Sequence, residues 1–137
     1  LYKKFVDAMP VLCVDMVVRH KGKFLLVKRK NEPLKDQYWL PGGRVLKGER
    51  ITQAVHRKMK EEVGIKVKII KSLGYFDKVF PKNKYNSKTG FHGLSIVFLV
   101  EPFSTNIVLD EQSDDWKFSK KLPALLYTKS FSKYGTI

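Results

Sequence analysis

The sequence predicts a single domain of the α/β (α+β) class, with a sheet between helices. Short apolar runs that are typical of strands occur along most of the chain, and one segment near its middle changes to a helical period. Strands interleaved with two helices within 137 residues favour a helix–sheet–helix sandwich around one core. We therefore treat residues 1–137 as one domain.

The first part of the chain predicts three strands. Residues 11–18 are nearly continuous apolar sequence, broken by Asp15, as is typical of a buried strand. A turn that contains Gly22 leads into the apolar residues 24–27, so these two strands are expected to form a hairpin. Residues 38–40 predict a short extended piece, which the following Pro-Gly-Gly is expected to stop.

Residues 50–63 predict the main helix. Apolar residues recur there at intervals of three and four and give one apolar face: Ile51, Ala54, Val55, Met59 and Val63. Gly64 supplies the residue with positive φ that commonly ends a helix.

The second part of the chain predicts further strands and a second helix. Residues 67–80 alternate enough for one strand or two, and a charged turn follows them. Residues 94–100 predict a buried strand and residues 116–118 a short one. Residues 122–127 predict a short helix that is entered at Pro123.

The composition narrows the class of function without choosing one. A net charge of +14 attracts polyanions, but the charge is spread along the chain and forms no compact patch with interleaved aromatics. We therefore expect a lysine-rich solvated surface and do not predict nucleic-acid binding. No apolar run reaches the about 20 residues that a membrane helix needs. The start at Leu1 lacks a signal peptide and an initiator Met, and the single cysteine, Cys13, allows no internal disulfide, so we expect a cytoplasmic protein that has lost a few residues before Leu1.

Chemistry is indicated by the loop before the main helix and by the helix itself. Counted from Gly43, the spacing is G-x5-E-x7-R-x3-E-E-x-G-I, which includes Glu49, Arg57, Glu61 and Glu62. Arg57 and Glu61 alone would be an ordinary stabilising pair on a helix surface. Ala54 points the same way as this pair and is expected to leave room for a bound group. Two adjacent carboxylates near a backbone carbonyl suit Mg²⁺, and Mn²⁺ is also possible.

This spacing resembles the box of the Nudix hydrolases, which holds a divalent cation against a nucleoside diphosphate linked to another group. Residues 28–29, 38–45 and 109–115 extend the likeness to the GDP-mannose mannosyl hydrolase branch, over roughly residues 11–126. The resemblance implies a Nudix-like α/β/α sandwich with a mixed sheet, a homodimer, and a nucleoside-diphosphate-linked small molecule as substrate. In that branch, water attacks the anomeric carbon of the sugar and an intact nucleoside diphosphate leaves.

The resemblance also implies roles for individual residues. It places the metal on the Gly42 carbonyl, the Glu62 carboxylate and the side-chain oxygen of Gln112, with Glu61 as an additional direct or water-mediated ligand. It places Arg44 and Arg57 against the diphosphate. It also places Arg29 and Asp15 on the substrate. For Asp15, a structural role in which it caps a turn or contacts Arg29 is equally open. Glu49 is expected to fix Arg57 rather than to bind metal.

Two positions depart from the family pattern. Lys58 stands where the box has Glu, and the mannosyl hydrolase branch tolerates that loss. Ser113 stands where the branch has the histidine that acts as general base, and a serine hydroxyl is too weak a base for this step. Asp114 is the preferred substitute, with its neighbour Asp115 and also His92 as alternatives. His20 and His56 are weaker candidates.

Three hypotheses about function follow from these residues. The first is a hydrolase of GDP-mannose type that releases GDP and free sugar, with Asp114 as the base. The second is a Nudix pyrophosphohydrolase that splits a nucleotide sugar at phosphorus, in which Glu61 supplies the missing acid. The third is a catalytically weak domain that binds a nucleotide sugar or RNA, which Lys58, Ser113 and the net charge of +14 favour.

Overall fold

The computed structural model describes residues 1–31, 34–81 and 90–123, without the side chain of Lys3. It contains two helices and seven strands in this part of the chain: α1 (Tyr2–Ala8), β1 (Val11–His20), β2 (Lys23–Arg29), β3 (Tyr38–Trp39), β4 (Gly42–Arg44), α2 (Ile51–Val63), β5 (Val67–Phe80), β6 (Phe91–Pro102) and β7 (Ser113–Ser119). In these ranges, no helix has the length and apolar character needed to cross a membrane. The predicted helix at 122–127 lies outside the described residues from position 124 onward.

The strands form one mixed sheet, as predicted. Its central path runs β3-β2-β1-β6-β5, while β4 pairs with β1 and β7 pairs with β2. The β1–β6 pair is parallel, and the other pairs are antiparallel. The predicted hairpin between β1 and β2 is confirmed, and its turn residues Lys21 and Gly22 both have positive φ, at 51° and 74°. Such turns match the twist of the strands that they join.

Helix α2 covers one face of the sheet. Its buried residues pack with side chains of β1, β2 and β6 in the main core: Ala54, Val55, Met59 and Val63 against Val14, Met16, Val18, Leu25, Phe98 and Val100. Ala54 is fully buried in this core, so the expectation that it leaves room for a bound group beside Arg57 is wrong. The helix ends at Gly64, whose φ of 71° confirms the predicted stop.

The opposite face of the sheet holds a second core and helix α1. The second core contains side chains of β3, β5 and β6 together with Leu122, which follows β7. Helix α1 packs there through Val6, against Val11, Cys13 and Phe91. The sequence did not predict α1, because Val6 is the one buried side chain among those of this helix that the structure describes, and so no apolar period develops.

The sequence missed one strand and left the form of another open. Strand β3 ends before Pro41, as predicted, but Gly42–Arg44 then pairs with β1 as strand β4. The run at 67–80, for which one strand or two were expected, is a single strand that carries two register shifts against β6. These irregularities let one long strand bend along the sheet.

Candidate active site

An open cleft of about 550 Å³ collects most of the predicted site residues. Six of them line it: Asp15, Arg29, Gly42, Arg44, Glu62 and Gln112. Arg57, Glu61 and Asp114 are not among the described residues that line this cleft. The structure thus gathers the predicted substrate-binding residues and three of the four predicted metal ligands.

Glu62 is a buried carboxylate at the wall of the cleft. The N–H of Gly42 donates a hydrogen bond of 2.9 Å to its Oε2, and the ammonium of Lys58 lies 3.7 Å from its Oε1. Burial raises the pKa of Glu62 to about 7, although Lys58 and the Gly42 N–H oppose this shift. The charge of Glu62 is therefore only partly compensated by its protein neighbours.

Gly42 lies between Glu62 and a second buried carboxylate, Asp15. Its N–H faces Glu62, and Asp15 is its register partner on β1. A side chain at position 42 would collide with the Asp15 carboxylate and with the carbonyl of Val14. Only glycine allows β4 to lie this close to β1 at this position.

Lys58 lies across the neighbouring glycine. A side chain at Gly43 would collide with the aliphatic part of Lys58, so this glycine gives the lysine its path into the cleft. The Lys58 ammonium lies 3.6 Å from the carboxylate of Glu61 and 3.7 Å from that of Glu62. The residue that replaces a glutamate of the box thus places a positive charge between the two remaining ones.

Arg57 joins the helix to the loop before it. Its Nε and Nη2 donate to the carboxylate of Glu49 at 2.6 and 3.0 Å, and Nη2 also donates to the carbonyl of Arg44 at 3.0 Å. Its Nη1 donates to Glu61 at 3.1 Å. The predicted pairing with Glu49 is confirmed, and this hydrogen bond holds the pKa of Glu49 below its usual value. Each guanidinium nitrogen of Arg57 thus donates to a protein group, and the expected contact of Arg57 with the diphosphate stays a prediction.

Gln112 is brought to the cleft by the loop that follows β6. The N–H groups of Val108 and Asp110 donate to the carbonyls of Val63 and Glu62, at 2.9 and 3.2 Å. These bonds dock the loop on the end of α2, and the side chain of Asn31 then contacts the Gln112 side-chain oxygen at 3.4 Å. Glu62 and Gln112 therefore line the same cleft although 50 residues separate them.

The oxygen donors that line the cleft suit a hard divalent cation, although they do not form a cluster of acidic residues. No three His, Cys, Asp or Glu side chains gather as a metal site in the described ranges. Glu62 supplies one under-compensated carboxylate, and neutral oxygens are available from the Gly42 carbonyl and Gln112. Glu61 is half exposed and paired with Arg57 and Lys58, so the structure does not place it in the cleft.

Asp15 forms an ion pair that the sequence did not predict. Lys78 of β5 donates to its Oδ2 at 3.1 Å, and both side chains are about nine-tenths buried. The expected alternatives for Asp15 were a turn cap or Arg29. The Lys78 ammonium also lies 5.8 Å from the centre of the Trp39 ring. The sequence did contain an indication that Lys78 faces the interior, since Phe76 and Phe80 lie two residues on either side and share its face of the strand.

None of the candidate bases is among the described residues that line the cleft. Ser113 is buried at the start of β7, and Asp114 beside it is exposed. Asp115 accepts a hydrogen bond from Tyr38 at 2.6 Å, and His92 lies 2.8 Å from Asp77. His20 packs on the ring of Phe118, and His56 is exposed on α2. Asp114 as general base therefore stays a prediction.

Cys13 also lines the cleft, close to Asp15 on the same strand. Burial raises the pKa of its thiol to about 11, and the charge of Asp15 adds to this shift. The thiol is therefore neutral at physiological pH.

Comparison with known proteins places the chain in a family. Residues 9–127 match the model of the NUDIX domain. The chain is 34% identical over 116 residues to the low-salt glycan biosynthesis protein Agl8 of Haloferax volcanii. The matched segment covers 85% of this chain and 74% of that protein. It is 32% identical over 120 residues to an ADP-ribose pyrophosphatase of Methanocaldococcus jannaschii, over 86% of this chain and 68% of that protein.

The fold has a solved counterpart as well. A MutT NUDIX hydrolase from Burkholderia pseudomallei superposes with a TM-score of 0.73 over 89% of this chain and 99% of its own, at 24% identity. At that identity the likeness concerns the fold alone. The domain match and the two relatives decide the assignment, and the chain belongs to the Nudix hydrolase family.

Proposed function

We propose that this Nudix hydrolase cleaves a nucleoside diphosphate linked to a sugar, in a reaction that requires a divalent cation. The observation that carries the proposal is Glu62, a buried carboxylate with a raised pKa in a cleft that basic side chains also line. Arg29, Arg44 and Lys58 line that cleft and give it the charge that a diphosphate needs. The two relatives, an ADP-ribose pyrophosphatase and a glycan biosynthesis protein, support a sugar-linked nucleotide as substrate.

The cation would be Mg²⁺, or Mn²⁺ in its place. Glu62, the carbonyl of Gly42 and the side-chain oxygen of Gln112 would hold it, with Glu61 in contact through water. When bound, such an ion neutralises phosphate charge and activates water. A set of one carboxylate and two neutral oxygens suits Mg²⁺, which usually keeps several waters.

The chain's own residues would bind and orient the diphosphate. Arg44 offers the planar fork that pairs with phosphate oxygens, while Lys58 contributes a point charge beside Glu62. Arg57 does not touch the substrate in this scheme. It holds the backbone of Arg44 against Glu49, and so acts as a positioning residue for the arginine in the cleft.

We infer that the cleaved bond lies within the diphosphate. The pyrophosphatase relative supports this, and so does the absence of a histidine at Ser113. Attack on the anomeric carbon of a GDP-mannose-type substrate is the second candidate, with Asp114 as base. It is favoured by Gln112 and Arg44, which match that branch and line the cleft. The homodimer and the cytoplasmic location stay predictions.

The products of hydrolysis test the proposal. The protein is incubated with GDP-mannose, GDP-glucose and ADP-ribose in Mg²⁺ and ¹⁸O-labelled water, and the products are identified by mass spectrometry. We expect a nucleoside monophosphate and a sugar phosphate, with label on one of the two phosphates. GDP and labelled free mannose would instead establish the second candidate. Saturable binding of these nucleotides without turnover would support the third hypothesis, a catalytically weak binding domain.

A matched pair of variants ties the activity to the site. Glu62→Gln removes the buried carboxylate with little change in size, and we expect metal-dependent turnover to fall by at least about 100-fold. Glu101→Gln makes the same change at an exposed position of β6 and should keep normal turnover. Normal turnover by Glu62→Gln would contradict the proposed metal site.

A further inference from the structure

The buried pair of Asp15 and Lys78 is costly to form and faces the cleft. Removing two charges from water costs more than their attraction commonly returns, so a buried ion pair is weak as a device for stability. Both residues line the cleft, so their remaining hydrogen-bonding capacity is directed at a space that a ligand can enter. The ammonium has three donors and the carboxylate two oxygens, and one hydrogen bond of 3.1 Å joins them.

The pair lies next to the proposed diphosphate site. Gly42 separates the two, because its N–H donates to Glu62 while Asp15 lies opposite it on β1. A group bonded to a diphosphate near Glu62 would therefore lie about one residue's width from the Asp15–Lys78 pair. Lys78 lies on the same face of the sheet as Asp15. Lys78 is opposite Gly93 of β6 and Asp15 is opposite Val97, and two positions four residues apart on a strand share a face.

The charge of the pair selects the kind of group that binds there. Asp15 would repel a phosphate, and the pair as a whole is neutral. A hydroxyl group suits both members, because it can donate to the carboxylate and accept from the ammonium at once. The Lys78 ammonium lies over the ring of Trp39, which also lines the cleft.

We propose that Asp15 and Lys78 bind hydroxyl groups of the ring that is joined to the diphosphate. Lys78 thereby determines specificity together with Asp15. The inference rests on the proposed function, because it takes the diphosphate to lie beside Glu62. The hydroxyl groups belong either to the transferred sugar or to the ribose of the nucleoside, which share this chemistry.

Equilibrium binding separates these sources. Titration calorimetry with Ca²⁺ in place of Mg²⁺, so that a hard cation fills the oxygen site without rapid hydrolysis, compares GDP-mannose, GDP and 2′,3′-dideoxy-GDP on the wild-type protein and on Lys78→Met. If the pair binds the sugar, Lys78→Met loses about tenfold in affinity for GDP-mannose and little for GDP. If it binds the ribose, the variant weakens GDP-mannose and GDP alike and spares the dideoxy nucleotide. Either pattern supports the inference.

Two results would overturn it. Equal weakening of all three nucleotides would mean that Lys78 acts on the phosphates by charge alone, and unchanged affinities would mean that it does not contact the ligand. Lys68→Met, which removes the same charge from an exposed position of β5, is the matched control and should leave all three affinities unchanged. A wild-type protein that binds none of the nucleotides would overturn the proposed function as well, whereas the two results above leave that function standing.

Variants that keep the fold guard against a structural artefact. Lys78→Met leaves Asp15 without its partner, so the double variant Asp15→Asn/Lys78→Met is measured beside it. We expect the double variant to lose the same ring-dependent affinity while it melts near the wild-type temperature. Lys78→Arg retains the charge and the donors, and should recover part of the lost affinity. A folded double variant with wild-type discrimination among the nucleotides would contradict the inference.

Discussion

Two buried carboxylates face the same cleft, and they are neutralised to different extents. Asp15 has an ammonium at 3.1 Å, whereas the nearest ammonium to Glu62 lies at 3.7 Å and is shared with Glu61. Burial outweighs these partners at Glu62, whose pKa rises to about 7. The Glu62 carboxylate is thus only partly neutralised by its protein neighbours and suits an added cation. The side at Asp15 is balanced and suits a neutral ligand.

The two sides also differ in how the chain builds them. Glu62 meets Gly42 across 20 residues of one loop and helix, while Asp15 meets Lys78 across 63 residues and three strands of the sheet. The first arrangement depends on local spacing. The second depends on strand register, which a sequence pattern specifies less directly.

The largest effect should come from removing the partner of the balanced carboxylate. Lys78→Met leaves the Asp15 charge buried and unpaired, which should lower the free energy of unfolding by about 3 kcal/mol. Lys58→Met should cost clearly less, since Glu62 can take up a proton instead. Urea denaturation at pH 7 measures both. Equal losses for the two variants would show that the carboxylates are not neutralised differently.

Metal affinity should separate the two carboxylates next. Glu62→Gln should weaken Mn²⁺ binding by about 100-fold, because it removes the one buried carboxylate among the proposed ligands. Asp15→Asn should change it by less than about threefold, since Asp15 is engaged with Lys78. Electron paramagnetic resonance of free Mn²⁺ gives both constants without turnover. A comparable loss in Asp15→Asn would place the cation on the other side of Gly42.

A further test of Glu62 is the pH dependence of stability in EDTA. With a folded pKa of about 7 against an ordinary value of 4.5, Glu62 keeps a proton in the folded protein that the unfolded chain releases. Its contribution to the free energy of unfolding therefore falls as pH rises between about 4.5 and 7. Glu49, whose pKa is lowered, acts below this window.

Thermal melts of the wild-type protein and Glu62→Gln from pH 5 to 7.5 isolate this contribution. The melting temperature of the wild type, relative to that of Glu62→Gln, should be higher at low pH than at high pH. A difference that stays constant over this range would contradict a protonated Glu62.

The sequence predicted the local parts of the molecule well. The hairpin, helix α2 with its stop at Gly64 and the Glu49–Arg57 pair depend on spacing within short segments, whereas the mixed sheet was expected from the family resemblance. Strand β4 and the Lys78 partner of Asp15 depend on which strands become neighbours. Lys78 is one of 27 lysines and arginines, and only its position between Phe76 and Phe80 distinguished it.

The environment of Cys13 has a practical consequence for chemical labelling. It is the only cysteine in the sequence, and the pKa of its thiol, about 11, leaves almost no thiolate at neutral pH. Thiol-directed fluorophores and spin labels should therefore react slowly with the native protein. A cysteine introduced at an exposed position would be modified selectively, which makes this chain suitable for single-site probes without removal of its native cysteine.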